Sequence, residues 1–183
     1  VTLTDSNNRY GWVSVVNHWA IAVLILGLIA LGIVLGDMPR SPQKGALMTV
    51  HKTLGMVALI LALVRIAWAT TQTRPGPIEG QPAIAARLRD LLHITLFVAT
   101  VALPLSGILM SLYNNRDVSV LGLFVIPGQG EVGWMAALAH GVHEWGSYLV
   151  LALVAGHALI SLKHHFLDKD PTLRRMLVDN RAS

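Results

Sequence analysis

Residues 140–157 read HGVHEWGSYLVLALVAGH, three histidines in an apolar run that is long enough to cross a membrane. Imidazole is costly inside hydrocarbon unless its ring nitrogens are engaged. Successive helical residues turn by about 100° and rise by about 1.5 Å. His143 and His157 are 14 positions apart, which leaves them about 40° apart around the axis and about 21 Å apart along it. They share one face at two depths. His140 falls about 100° off that face and nearer the aqueous end, so it reads as interfacial.

The rest of the chain has the same character. Of its 183 residues 54% are apolar and 13% charged, and its mean hydropathy is +0.58. The charges cluster between long apolar runs, the pattern of a polytopic membrane protein. Four runs are each long enough to span: Trp12–Gly36, Leu47–Ala69, Leu88–Leu112 and Met135–Leu162. Between them lie DMPRSPQKG, TQTRPGPIEGQP and YNNRD…IPGQGE, whose Pro, Gly and Asn mark interfacial loops. The expected fold is all-α, a transmembrane four-helix bundle forming a single membrane domain over residues 1–183. The run beginning at Trp12 is too long for a signal-peptide core and reads as a retained first helix.

With the N-terminus inside, one face holds Arg9, Arg65, Arg74, Arg87, Arg89, Lys163, Lys169, Arg174, Arg175 and Arg181, and the other Arg40, Lys44, Lys52 and Arg116. That imbalance predicts both termini in the cytoplasm. It also accounts for the net charge of +4 without a nucleic-acid partner. The tail HHFLDKDPTLRRMLVDNR reads as a short basic amphipathic helix on the inner leaflet. Cysteine is absent, which excludes disulfides, cysteine-ligated iron–sulfur clusters and thioether-linked haem.

The other spans offer partners for the two rungs of the fourth. His18, in VVNHWA, lies at the depth of His157, and His51, in TVHKTLG, at that of His143. Two imidazole pairs at two depths are what two bis-histidine haems need. Taken singly, each histidine could equally bond a neighbouring helix or serve a proton path. A zinc or di-iron site would want three or more converging ligands, often carboxylates, and of these only Asp90 and Glu144 sit near span ends. Gly55, Gly146 and Gly156 lie beside the histidines, where small residues leave gaps for a flat macrocycle or for simple helix contact.

Arg65 lies 14 residues past His51, on the same face and about 21 Å deeper. There it can meet a haem propionate or snorkel to lipid phosphate. Lys44 and Lys52 are candidates for the corresponding part at the other surface. His93 enters the third span at the depth of His18 and His157. It can replace one of them as ligand, line a quinone pocket with Arg89, or bond structurally. Pro104 is expected to kink this span. His164 and His165 read as interfacial, or as part of a quinone mouth.

These residues carry a resemblance. NHW in the first span, VHKTLG opening the second, H…ALPLSG in the third, HEWG…H in the fourth and the terminal KHHFLDKDPTLRRM follow one another as in the prokaryotic cytochrome b561 family. The chain resembles that family over nearly its full length. The resemblance implies two b-type haems held by His18, His51, His143 and His157. It also implies electron exchange with ubiquinone in the bacterial inner membrane. In one branch it implies oxidation of superoxide at the periplasmic face. Lys52, with Lys44, Arg40 and Arg116, would attract that anion, while Asp37, Asp117 and Glu131 offset the charge. Two other readings stay open at this stage: a quinone-linked subunit whose partner is a periplasmic or membrane redox protein docking on RDVSVLGLFVIPGQGEVGW, and a non-redox transporter or structural bundle with proton-relay histidines.

Overall fold

The computed structural model describes residues 2–73, 75–76 and 82–177; Arg74 and Arg181 of the charge count lie outside them. Four long helices, α1 (Trp12–Asp37), α2 (Pro42–Thr70), α3 (Ala83–Leu112) and α4 (Gly133–Lys163), are each long and apolar enough to cross a membrane. Each packs against the next in sequence, and α1 touches α4 only lightly. The segment before α1, the tail after α4 and residues 75–76 of the α2–α3 connection share one end of the bundle, called the terminal end. The α1–α2 connection and the α3–α4 loop share the far end.

Helices α2 and α3 each begin five residues earlier than the hydropathy suggests. At α2 the reason is local: Ser41 Oγ accepts the Lys44 N–H at 3.1 Å, and Pro42 occupies the first turn. Proline there forfeits no hydrogen bond, so Ser-Pro starts a helix where it was read as loop. Helix α3 continues through the buried Pro104.

Ile21, Ile25, Leu28 and Ile29 of α1 meet Ala58, Leu103 and Val150 in the main apolar cluster. Their spacing of four, three and one is one helical stripe. Ala58 and Ala62 are each 1% exposed, so α2 brings its backbone close to its neighbours there. Close approach matters because lipid gives helices no hydrophobic reason to associate. Val23, Val98 and Leu159, each more than three-fifths exposed, face outward, as lipid-contacting side chains do.

The α3–α4 loop holds an unanticipated antiparallel hairpin, β1 (Val118–Val120) and β2 (Phe124–Ile126). The tail also departs from the expected amphipathic helix. It forms one π-turn, His164–Asp168, and one 3-10 turn, Arg174–Met176. Lys169, at φ +56°, reverses the chain between them, and Pro171 disfavours helix at Asp170. The His164 Nδ1 atom lies 2.9 Å from Asp168 Oδ2 and 2.8 Å from Asp170 Oδ2. The tail then turns back: Trp19 Nε1 donates to the Met176 carbonyl at 2.9 Å, and Arg175 Nη1 to that of Gly76 at 2.7 Å.

Asp5 ties the N-terminal segment to the bundle. Its Oδ1 accepts the Gly11 N–H at 2.7 Å, and its Oδ2 accepts Ser14 Oγ–H at 2.9 Å. Trp68 of α2 donates to Ser14 Oγ at 3.1 Å. A carboxylate here serves free amides at a helix N-terminus and complements the helix dipole. Asp5→Ala should cost about 1–2 kcal/mol, measured as a lowered thermal midpoint in detergent.

A second prediction concerns the tail. Burial alone would raise the Asp170 carboxyl, but hydrogen bonds from Thr172 and the charge of His164 outweigh it and hold the value below the usual 3.8. A depressed carboxylate stabilises the fold above its unfolded value, and that contribution disappears as pH falls through the folded one. The tail should therefore resist pepsin at pH 4–5 and become susceptible only below about 3.8. Asp170→Ala should expose Lys169, Arg174 and Arg175 to trypsin at neutral pH.

Candidate cofactor sites at two depths

At the far end His51 of α2 meets His143 of α4, with ring centroids 6.0 Å apart and planes at 79°. The His143 Nδ1 atom lies 2.9 Å from the Leu103 carbonyl oxygen and 3.1 Å from Ser106 Oγ. Ser106 Oγ–H donates to the same carbonyl at 2.7 Å. When Nδ1–H donates to Leu103, the lone pair of His143 rests on Nε2, the arrangement that orients a metal-ligating histidine and raises its basicity. Gly107, one turn past Leu103, makes the approach possible. A Cβ there would stand 3.1 Å from His143 Cε1 and 3.3 Å from Nδ1. His51 is steered less: its Nδ1 is buried and has no hydrogen-bond partner among the described residues.

At the terminal end His18 of α1 meets His157 of α4 at 6.4 Å and 69°. His93 of α3 comes still nearer to His157, at 5.3 Å and 65°, so this level holds three imidazoles. Arg65 Nη1 lies 2.9 Å from His18 Nδ1, and its guanidinium carbon stands 4.8 Å over the Phe97 ring. A guanidinium can only donate, so the contact places the His18 proton on Nε2. For His18 to ligate a metal through Nε2, Arg65 must first release Nδ1. Asn17 Oδ1 is also buried here and, among the described residues, has no partner.

The separations test whether a metal macrocycle fits. Imidazole nitrogens bind metals at about 2 Å, so two rings holding one ion between them have centres roughly 6 Å apart. Both cross-helix pairs match. A Cβ on Gly55 or Gly156 would meet nothing within 4 Å, whereas Gly146 is packed on Leu103 at 2.9 Å. His93 is a third imidazole at the terminal-end level, but among the described residues neither level brings three ligand atoms together as a cage for a naked ion. One convergent trio, His164, Asp168 and Asp170, lies in the tail. There Lys163 Nζ sits 2.6 and 2.9 Å from the two Asp168 oxygens, so the trio is an ion-pair network already supplied with cations.

The remaining candidates lie around these levels. His140 is exposed and pairs with Glu144 at 3.5 Å, apart from His143. Lys52 feels the positive charge of Arg116 at the far end. Lys44 is engaged elsewhere, donating to the Met38 carbonyl at 2.7 Å to close the end of α1. Arg89 pairs with Asp90 at 3.0 Å, and His165 packs edge-on against Phe166 at 4.8 Å. Leu103, Ser106, Gly107 and Phe97 are contributors that the histidine pattern does not reveal. The LPLSG motif holds the first three, but nothing in one dimension links it to His143.

A membrane bundle with paired imidazoles at two depths is the arrangement that a transmembrane cytochrome of the b type would need. Residues 9–178 match the family model described as prokaryotic cytochrome b561. Cytochrome b561 homolog 2 of Escherichia coli strain K12 is 30% identical, covering 97% of this chain and 95% of that protein. Cytochrome b561 homolog 1 of the same strain is 29% identical over 93% and 97%. A protein of Yersinia pestis named probable superoxide oxidase CybB is 27% identical over 96% and 99%. The chain belongs to the prokaryotic cytochrome b561 family, whose members are membrane electron-transfer proteins carrying b-type haem.

Gly107→Ala should push the His143 ring aside by a few tenths of an ångström and lower the b-haem absorbance per chain. Gly141→Ala, on the His143 helix with nothing within 4 Å of the added Cβ, should leave it unchanged.

Proposed function

We propose that this protein carries electrons from superoxide at the far face to ubiquinone in the bacterial inner membrane, using two haem b groups. The observation that carries the proposal is the matching of two imidazole pairs, at 6.0 and 6.4 Å, on rungs of α4 about 21 Å apart. His51 and His143 would hold the far-end haem, His18 and His157 the terminal-end haem. Such a group, when bound, would supply a one-electron carrier. The lysine and arginine imbalance supports a cytoplasmic terminal end and a periplasmic far end.

Around those groups the chain's own residues divide the work. The Leu103 carbonyl keeps the His143 proton on Nδ1. Lys52, reinforced by Arg116, makes the far end attractive to an anion. Arg65, once it releases His18, would be the cation for a propionate at the terminal-end site. His93 and Arg89 stand at that level to bind quinone oxygens, and His93 can deliver protons. Two superoxide ions each give up one electron and leave as dioxygen. Ubiquinone takes up those two electrons with two protons and becomes ubiquinol. The likeness to a protein named as a probable superoxide oxidase supports this donor.

Reduced-minus-oxidised spectroscopy with haem quantification is the test. Two haems per chain are expected, and His143→Ala and His157→Ala should each remove one of them. Loss of both from either substitution would refute independent pairs. Superoxide should reduce the oxidised protein rapidly, and Lys52→Ala or added salt should slow that step on the order of several-fold. If superoxide leaves the haems oxidised while other donors reduce them, the donor assignment fails and the haem assignment stands.

A further inference from the structure

The β1–β2 hairpin is unexplained by either histidine level. Its register pairs Val118 with Ile126, Ser119 with Val125 and Val120 with Phe124. Directly opposed residues share a face of a sheet, so one face carries Val118, Val120, Phe124 and Ile126, the other Ser119 and Val125. The first face is anchored. Val118 is 3% exposed and joins Met56 and Leu59 in one apolar cluster, with Val120 and Ile126 packed on it. Strand β1 lies against both α2 and α3.

Beyond that anchor the hairpin presents apolar side chains to its surroundings. Leu123 is 80% exposed, Phe124 58% and Leu121 37%. The nine residues VSVLGLFVI, 118–126, contain no charge. The turn itself is at odds with water. Leu121 and Gly122 have φ of +53° and +74°, and the Leu123 N–H closes the turn on the Val120 carbonyl at 2.9 Å. Two successive positive φ values suit Asn-Gly or Asp-Gly. Leucine at the first of them accepts backbone strain and, in water, gains no solvation in return. The choice makes physical sense where the surroundings are apolar.

We infer that the tip of this hairpin, Leu121, Leu123 and Phe124, inserts into the lipid leaflet at the far end of the bundle and anchors the α3–α4 loop there. Depth supports lipid as the occupant. Met56 and Leu59 lie five and eight residues past His51 on α2, about 8 and 12 Å further into the span. A strand seated in their cluster lies alongside the span and not above it. The tip extends an apolar surface that α2 and α3 already present through Leu54, Leu105 and Leu109, each about two-fifths exposed. Backbone chemistry sets the limit of insertion. A two-stranded hairpin leaves the outer edges of both strands unpaired, and such groups do not enter hydrocarbon. Strand β1 lies against α2 and α3, so the side chains of the tip, and not bare strand edges, are what meets the acyl chains.

The chain has no cysteine, so single nitroxide labels can be placed without background. Leu123→Cys and Phe124→Cys, with Gln129→Cys as a reference further along the loop, are labelled in the haem-loaded protein in lipid nanodiscs. Power-saturation EPR then compares collisions with oxygen, which concentrates in lipid, and with a water-soluble nickel chelate. Unchanged haem absorbance per chain establishes that each labelled variant is folded. The expected result is an oxygen-to-chelate ratio several-fold higher at 123 and 124 than at 129. Chelate exceeding oxygen at 123 and 124 would place the tip in water and overturn the inference. Low access to both reagents at both sites would overturn it in favour of a covering protein, a redox partner or a second copy.

Discussion

A buried imidazole in a membrane has to have its nitrogens engaged, and much of this structure follows from meeting that requirement at two depths. Helix α4 carries one histidine at each level because 14 residues make nearly four full turns. Every other helix then contributes at one level: His51 from α2 at the far end, His18 from α1 and His93 from α3 at the terminal end. The order of packing, α1 on α2, α2 on α3 and α3 on α4, brings these positions toward a common interior. Close contact depends on small residues there, with Ala58 and Ala62 among the most buried positions in the chain and Gly107 admitting the His143 ring.

The two levels are not equivalent. At the far end a backbone carbonyl and a serine hydroxyl on the same helix, α3, orient His143. At the terminal end the orienting group of His18 is a guanidinium on a long side chain, with a third imidazole alongside. A site with a cation on a long side chain and a third imidazole would suit proton-coupled transfer, the role proposed for this level. The N-terminal segment, the connection at Gly76 and the tail all close over that end through Asp5, Arg175 and Trp19.

Much of this was legible in one dimension. The four spans, the two-rung face of α4 and the candidate partners His18 and His51 follow from apolar length and a period of 3.6 residues. Helix starts were less legible, because Ser41-Pro42 reads equally as a loop or as a cap followed by a first turn. The tail resembled an amphipathic helix in composition, yet Lys169 and Pro171 break it, and His164 takes two carboxylates that a straight helix would hold apart. The hairpin was hidden because VSVLGLFVI is as apolar as a helix fragment. Its strands became recognisable once Val118 had somewhere to pack.

What the sequence alone determined is whatever periodicity and hydropathy can encode: a membrane bundle, its number of spans, and which histidines share a face and a depth. Tertiary structure decided which atoms engage those rings. The Leu103 carbonyl, the Gly107 gap, the Arg65–His18 contact and the approach of His93 to within 5.3 Å of His157 all depend on how far one helix is turned and shifted against another. Those quantities come from side-chain packing between segments distant in sequence, and no local spacing specifies them.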